Sequence, residues 1–393
     1  MNKIIFLSTR YFSKVDFYQY GVNEFIKKKV RVEIWYLNKI TNRNYKYNKK
    51  YKLKGVHIKE LYNLSDLEKQ LQGNILNCFY DSKLPYEVSN KKVYQLLSKY
   101  DVNYLVRAKP LSNQIERKHE KFYFRKFFKH SFLQIIKTIP KKFFLTLSPS
   151  IWGIKEATYV YLMGKNAYLN KKNHKLVTKK TLSIWGHHRN YDDYLKNNRR
   201  KIKKTKKTAL FIDQATPFHP DVIELGMSDV NPNIYYNSIK KFLEKIKDKF
   251  NYQIEISCHP KMKIKRLKKY LPNYPIKFGD TINQVRSSSL VILQDSTARN
   301  FAAIYKKPIL FITNDSLNNS VYPHYDYIEY TAKLFDQKPL NIDSCSIRDI
   351  KNNFKSNKKI YKNYFKNYIK FKGPNKLYPE IIMKTLKKDR VWI

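Results

Sequence analysis

Short apolar runs closed by polar residues, with helix-length amphipathic stretches between them, recur along most of this chain. Residues 3–8 (KIIFLS) read as a first strand, because an unbroken apolar run suits a strand covered on both faces. Apolar positions at Tyr20, Phe25 and Ile26 give residues 19–28 helical spacing. Residues 30–37 are β-branched and aromatic enough for a second strand. A strand near 56–58, short helices at 64–71 and 93–99, and a strand at 104–107 follow. Residues 1–110 thus alternate strand and helix, as an open α/β domain does.

Residues 121–147 break that rhythm, with Phe122, Phe124, Phe127, Phe128, Phe132, Ile135 and Ile136 interleaved with Lys and Arg. They read as a core helix with a basic outer face; the alternative is a surface helix pressed into anionic lipid. Residues 152–164 start helically and end strand-like, and 175–185 lead into Gly186-His187-His188. Residues 197–207 (NNRRKIKKTKK) carry dense like charge and almost no apolar content, which predicts a linker. The α/β pattern then restarts, with strands at 208–213, 253–257, 290–293 and 308–312. A helix over 235–249 is spaced by Tyr236, Ile239, Phe242, Leu243 and Ile246. The tail predicts a helix at 360–369 that packs back on the first domain. The domains expected are 1–196, a basic linker 197–207, a nucleotide-binding domain 208–345 and a helical tail 346–393.

Charge narrows the partners. Lys and Arg number 79 against 31 Asp and Glu, a formal net charge of +48. Nucleic acid, an anionic membrane surface and anionic substrates all answer to such a balance. The basic residues are dispersed and no RNA- or DNA-binding motif is present, so no nucleic acid is expected; a salt-sensitive gel shift would reverse that. The abundance of Lys, Asn, Tyr and Ile also suggests a compositional bias that leaves many lysines on solvated faces. Three scattered cysteines form neither a disulfide framework nor a zinc pattern, and a reducing cytoplasm is expected. The strand-like start lacks a signal-peptide core, and no apolar run approaches the roughly 18 residues of a membrane span.

Candidate chemistry gathers at strand ends, where open parallel sheets place their sites. His259-Pro260 closes the run 253–257, and Lys261 follows at once. A histidine there can donate to a phosphate or carry a proton, and the proline turns the chain. Asp295-Ser296-Thr297 precedes the helix-like ARNFAAIY; Ser296 and Thr297 can cap free N–H groups that also cradle phosphate. Asp213-Gln214 closes another strand, with His219-Pro220-Asp221 beyond; Asp213 could cap, bind ribose or fix the cleft. His187, His188, Asp192 and Asp193 form a second polar cluster without the spacing of a metal site, so a carboxylate acting as general base is the better reading there. No GxxxxGK[ST] and no GxGxxG occurs, and only 9 glycines are present. Phosphate must then be handled by His, Ser, Thr, Lys and helix ends.

Strand-His259-Pro260, then Ser296-Thr297 before a helix, then the strand after Lys306-Lys307-Pro308, make residues 208–315 resemble bacterial sialyltransferases and polysialyltransferases of the GT-B type. The resemblance implies an α/β, GT-B-like fold, two Rossmann-like domains facing across a cleft. It implies inverting transfer of a sialic acid-like nonulosonate from a CMP-activated donor to a surface glycan, in the cytoplasm or peripheral on the inner membrane face. It implies no cofactor and no metal. Its partners would be a nucleotide sugar and a glycan or lipid-linked glycan acceptor, with an anionic membrane surface alongside. His259 would contact the CMP phosphate and help the leaving group depart. Asp213, Gln214, Pro260, Lys261, Ser296 and Thr297 would complete the nucleotide site, and Asp192 or Asp193 would deprotonate the acceptor. The family's acidic-acidic-Gly motif is not matched, because Tyr194 follows Asp192-Asp193. Transfer from another nucleotide-activated sugar or from CDP-glycerol is the alternative in the same class.

Overall fold

The computed structural model describes residues 2–41, 51–74, 76–108, 139–197, 207–354 and 356–392. The predicted linker core at 198–206 and most of the aromatic-basic stretch 121–147 lie outside the described residues. Two compact units emerge. The first comprises Met1–Ser112, Tyr123–Asp192 and Lys370–Ile393; the second comprises Asn113–Phe122 and Asp193–Ile369.

The first unit is built on seven parallel strands: β1 (Lys3–Ser8), β2 (Arg31–Tyr36), β3 (His57–Glu60), β4 (Cys78–Ser82), β5 (Tyr104–Ala108), β6 (Tyr159–Met163) and β7 (Leu182–Gly186). Their spatial order is β3-β2-β1-β4-β5-β6-β7, so the topological switch lies between β1 and β4. Ile4, Ile5, Phe6 and Leu7 are all fully buried, as expected of a strand covered on both faces. The stretch predicted as one helix over 19–28 is two short helices, Lys14–Gln19 and Val22–Lys27. Gly21 separates them in the left-handed region (φ 62), and a Cβ there would overlap the ring of Pro379.

Six parallel strands form the second unit: β8 (Thr208–Ile212), β9 (Gln253–Cys258), β10 (Ile276–Phe278), β11 (Leu290–Leu293), β12 (Ile309–Thr313) and β13 (Leu340–Asn341). The order β10-β9-β8-β11-β12-β13 puts the switch between β8 and β11. The helix Pro232–Phe250 starts where the Asn231 side chain accepts the N–H groups of Asn233 and Ile234. It buries Tyr235, Tyr236, Ile239, Phe242, Leu243 and Ile246, and ends at Asn251 in a left-handed conformation (φ 54). Those residues join Ala209, Phe211 and Ile256 of the sheet in one core. Each buried Leu, Ile or Phe side chain contributes about 1.5–3 kcal/mol relative to exposure.

The tail divides. Lys358–Tyr364 is helical, continues through a wider turn over Phe365–Ile369, and belongs to the second unit. A further helix, Tyr378–Lys388, belongs to the first unit and buries Ile381, Ile382 and Leu386 in a core with Phe25 and Ile184. Polar ties add to that apolar contact. The Tyr378 hydroxyl donates to Asp81 Oδ2 (2.6 Å), and Arg107 forks onto both oxygens of the same buried carboxylate. No helix among the described residues is long and apolar enough to cross a membrane.

Candidate functional site

Three connections of the second unit converge at the carboxyl ends of its strands. After β8 comes the turn Asp213–Phe218 and then His219; after β9 comes His259-Pro260-Lys261; after β11 comes Gln294–Thr297. The rings of His219 and His259 lie 5.2 Å apart, centroid to centroid. Lys261 Nζ pairs with Asp221 Oδ1 at 2.8 Å, tying the β9 loop to the segment that carries His219.

The two imidazoles are held alike. His259 Nδ1 accepts the N–H of Lys261 (3.2 Å), and His219 Nδ1 accepts the N–H of Asp221 (3.3 Å). An Nδ1 that accepts leaves the proton on Nε2. Burial, and after it the neighbouring His219 and Lys261, pull His259 down to about 4. Burial and Lys261 also lower His219. Both rings are therefore neutral near pH 7, each with an Nε2–H to donate. A neutral N–H donor answers a phosphate oxygen without the cost of burying a cation beforehand.

Beneath the loops lies a buried polar layer. The Tyr236 hydroxyl donates to Asp213 Oδ1 (3.2 Å), while the Tyr235 and Thr216 hydroxyls donate to Gln294 Oε1 (3.0 and 3.2 Å). Asp213 is 1 % exposed, and burial pushes its carboxyl up to about 7 against the opposing pull of the Ala215 and Gln214 N–H groups. Ala215, in the turn after β8, stands in the left-handed region (φ 53). Asp213 thus braces the loop, whereas Gln214 is half-buried on it.

The turn after β11 is hydrogen-bonded as well. Asp295 Oδ1 accepts from Arg299 Nη1 (2.9 Å) and Thr331 Oγ1 (2.8 Å), and Ser296 Oγ accepts the Ala298 N–H (3.3 Å). Thr297 is exposed, as is Pro260. The structure brings His259 and Lys261 together with His219 and Asp221. Ser296 and Thr297 stand at the end of β11, with β8 between them and β9.

Asp192 and Asp193 fall in the helix Arg189–Asn197, one in each unit. Asp192 is buried, and its Oδ1 accepts the N–H of Tyr378 (2.8 Å), capping the C-terminal helix. Asp193 is half-buried. His187 is buried beside them, its Nε2 donating to the Lys376 carbonyl (2.8 Å). Among the described residues no group of three or more His, Cys, Asp or Glu is placed to hold a metal ion.

No protein-family model matches the sequence, and no curated protein matches it. Solved structures do share its fold. A variant of the wall teichoic acid polymerase TagF superposes over 99% of this chain and 90% of its own, with 11% identity and a TM-score of 0.50. The S. aureus MnaA–UDP structure covers 100% of this chain and 98% of its own at 11% identity, TM-score 0.49. The UDP-GlcNAc 2-epimerase of Methanocaldococcus jannaschii, in complex with UDP-GlcNAc and UDP, covers 99% of this chain and 100% of its own at 14% identity, TM-score 0.48. The likeness is one of fold: the chain is α/β, with two Rossmann-like units of the GT-B kind.

Proposed function

We propose that the chain is a glycosyltransferase that moves an acidic, sialic acid-like sugar from a CMP-activated donor to a surface glycan with inversion. The observation that carries this reading is the neutral His219–His259 pair beside Lys261, at strand carboxyl ends next to the β8/β11 switch of a GT-B-like fold. Two Nε2–H groups, with the Lys261 ammonium that also pairs with Asp221, suit a phosphate that gains charge as its bond to the sugar breaks.

On this reading the acceptor hydroxyl oxygen forms a bond to the anomeric carbon. The bond from that carbon to the phosphate oxygen breaks, and the electron pair leaves with CMP. His259 Nε2–H and Lys261 stabilise the departing phosphate, so neither a metal nor a cofactor is needed. Ser296 and Thr297 would steady the nucleotide from the next loop, and Gln214 from the loop after β8. The hydroxyl proton goes to a carboxylate. Asp192 or Asp193 would take it, and Asp192 also accepts the N–H of Tyr378. The acceptor would be a glycan or lipid-linked glycan, and the charge of +48 suits an anionic membrane surface near it.

Calorimetric titration with CMP, CDP, UDP and GDP tests the donor. A preference for CMP that is lost in His259→Ala supports the reading. A UDP preference removes the CMP donor, and a CDP preference turns the reading toward a CDP-linked donor such as CDP-glycerol.

A further inference from the structure

We infer that the exposed apolar side chains around Trp152, in the first unit, dock the protein on an anionic phospholipid surface. This gives a place to the membrane partner of the proposed reading and rests on that partner, not on the donor. The helix Ile139–Thr146 is rooted by Phe144, which is buried, stacks on Tyr86 (ring centroids 4.7 Å apart) and tilts against Trp152 (5.6 Å). Its neighbours Phe143 and Leu145 are 58 % and 42 % exposed. The turn Pro149–Trp152 adds Ile151, which is 62 % exposed, and Gln95 Nε2 fixes that turn by donating to the Trp152 carbonyl (2.7 Å). Phe143 meets the Trp152 ring edge-on, centroids 6.2 Å apart, so helix and turn share one patch. Large apolar side chains standing singly in water are ordinary; three on two adjoining elements mark an interaction surface.

The rim of this patch is cationic. Lys91 Nζ lies 3.7 Å from the centroid of the Trp152 ring, and Lys92 beside it is exposed. Lys175 Nζ donates to the Thr146 carbonyl (3.2 Å) at the end of the helix. Lys155 pairs with Asp101 (2.8 Å), so it adds little net charge. Glu87 is the acid closest along the chain to Lys91, and its Oε1 already accepts from Ser89 and Asn90. Apolar side chains rimmed by ammonium groups match the boundary of an anionic bilayer: the former enter the acyl region and the latter meet lipid phosphates. A nucleic acid would use the lysines and leave Leu145 and Ile151 in water. A second copy would bring like charge against like, since each chain carries +48.

Flotation of the full chain with vesicles of phosphatidylcholine, alone or mixed with phosphatidylglycerol, tests the surface. Wild type should float with the mixed vesicles, less so as salt rises, and little with phosphatidylcholine alone. Phe143→Ser and Ile151→Ser change exposed residues, so both should fold normally and bind the mixed vesicles about five- to ten-fold more weakly. Lys175→Gln should lose about five-fold on the same vesicles. Quenching of tryptophan emission by brominated lipid should fall in Trp152→Phe. Wild type that floats with neither vesicle, serine variants that float like wild type, or quenching unchanged in Trp152→Phe overturns the docking surface. A dimer in light scattering that Ile151→Ser dissolves assigns the patch to a second copy and overturns it too. Nucleotide affinity should be the same in all these variants. A chain that binds vesicles but no nucleotide keeps this surface and loses the donor site.

Discussion

Replacing Asp213 by Asn should make the second unit more stable, and increasingly so as pH rises from 4 to 7. Burial lifts this carboxyl from 3.8 to about 7, because the charged form would sit without water at the end of β8. Between those values the unfolded chain releases the proton while the folded chain keeps it. The unfolded state then binds fewer protons, so stability falls as pH rises through this window and levels off above it. At about 1.4 kcal/mol per pH unit, the roughly three units between 3.8 and 7 amount to about 4 kcal/mol. Asparagine keeps an oxygen for the Tyr236 hydroxyl and cannot ionise, so its curve lacks this slope. The four tryptophans, at 35, 152, 185 and 392, all lie in the first unit, so their fluorescence does not report on β8. Amide exchange of β8 and β9 in low urea does. The stability gap between variant and wild type should widen by about 3 kcal/mol from pH 5 to pH 7.5. A gap that stays constant over this range would refute a protonated, buried Asp213.

Two further substitutions test the first unit and the acidic pair. Gly186→Ala places a Cβ against the Tyr161 ring, whose hydroxyl accepts the His187 N–H (3.1 Å); overpacking there should cost about 1–3 kcal/mol in urea denaturation followed by tryptophan fluorescence. A variant as stable as wild type would mean that the ring moves freely. Asp192→Asn should weaken the cap on Tyr378 by about 1 kcal/mol, and loss of turnover with CMP affinity kept, in it or in Asp193→Asn, would locate the base. Full activity in both removes the carboxylate pair from the chemistry.

Local pattern exposed the parts of the fold that are built locally. β8, β11 and β12 are apolar almost throughout because both faces are covered, β9 alternates (QIEISC), and the helix Pro232–Phe250 shows its buried stripe at helical spacing. The place of His259 in the fold was legible because it follows directly on β9. β4 was not, since its sequence CFYDS contains Asp81, and nothing nearby says that this acid is buried. Its partners are Arg107, on the next strand, and Tyr378, almost 300 positions away. The bond made by Asp192 was hidden for the same reason: the N–H it accepts lies 186 residues on.

A chain with 79 Lys and Arg still places imidazoles, not ammonium groups, at the centre of its strand-end cluster. The physics of burial accounts for that choice. A lysine forced into the position of His259 would be desolvated and would sit beside Lys261, so it would lose its proton or open the site to water. An imidazole there is neutral at rest, offers a directed N–H, and gains proton affinity only when a negative group arrives beside it. Surface lysines act differently, through a field that salt screens within about 8–10 Å. On the proposed reading, the general charge draws anionic ligands toward the molecule but says little about which one is held. Discrimination falls to His259 and His219, whose rings the loops after β9 and β8 hold independently of the net charge.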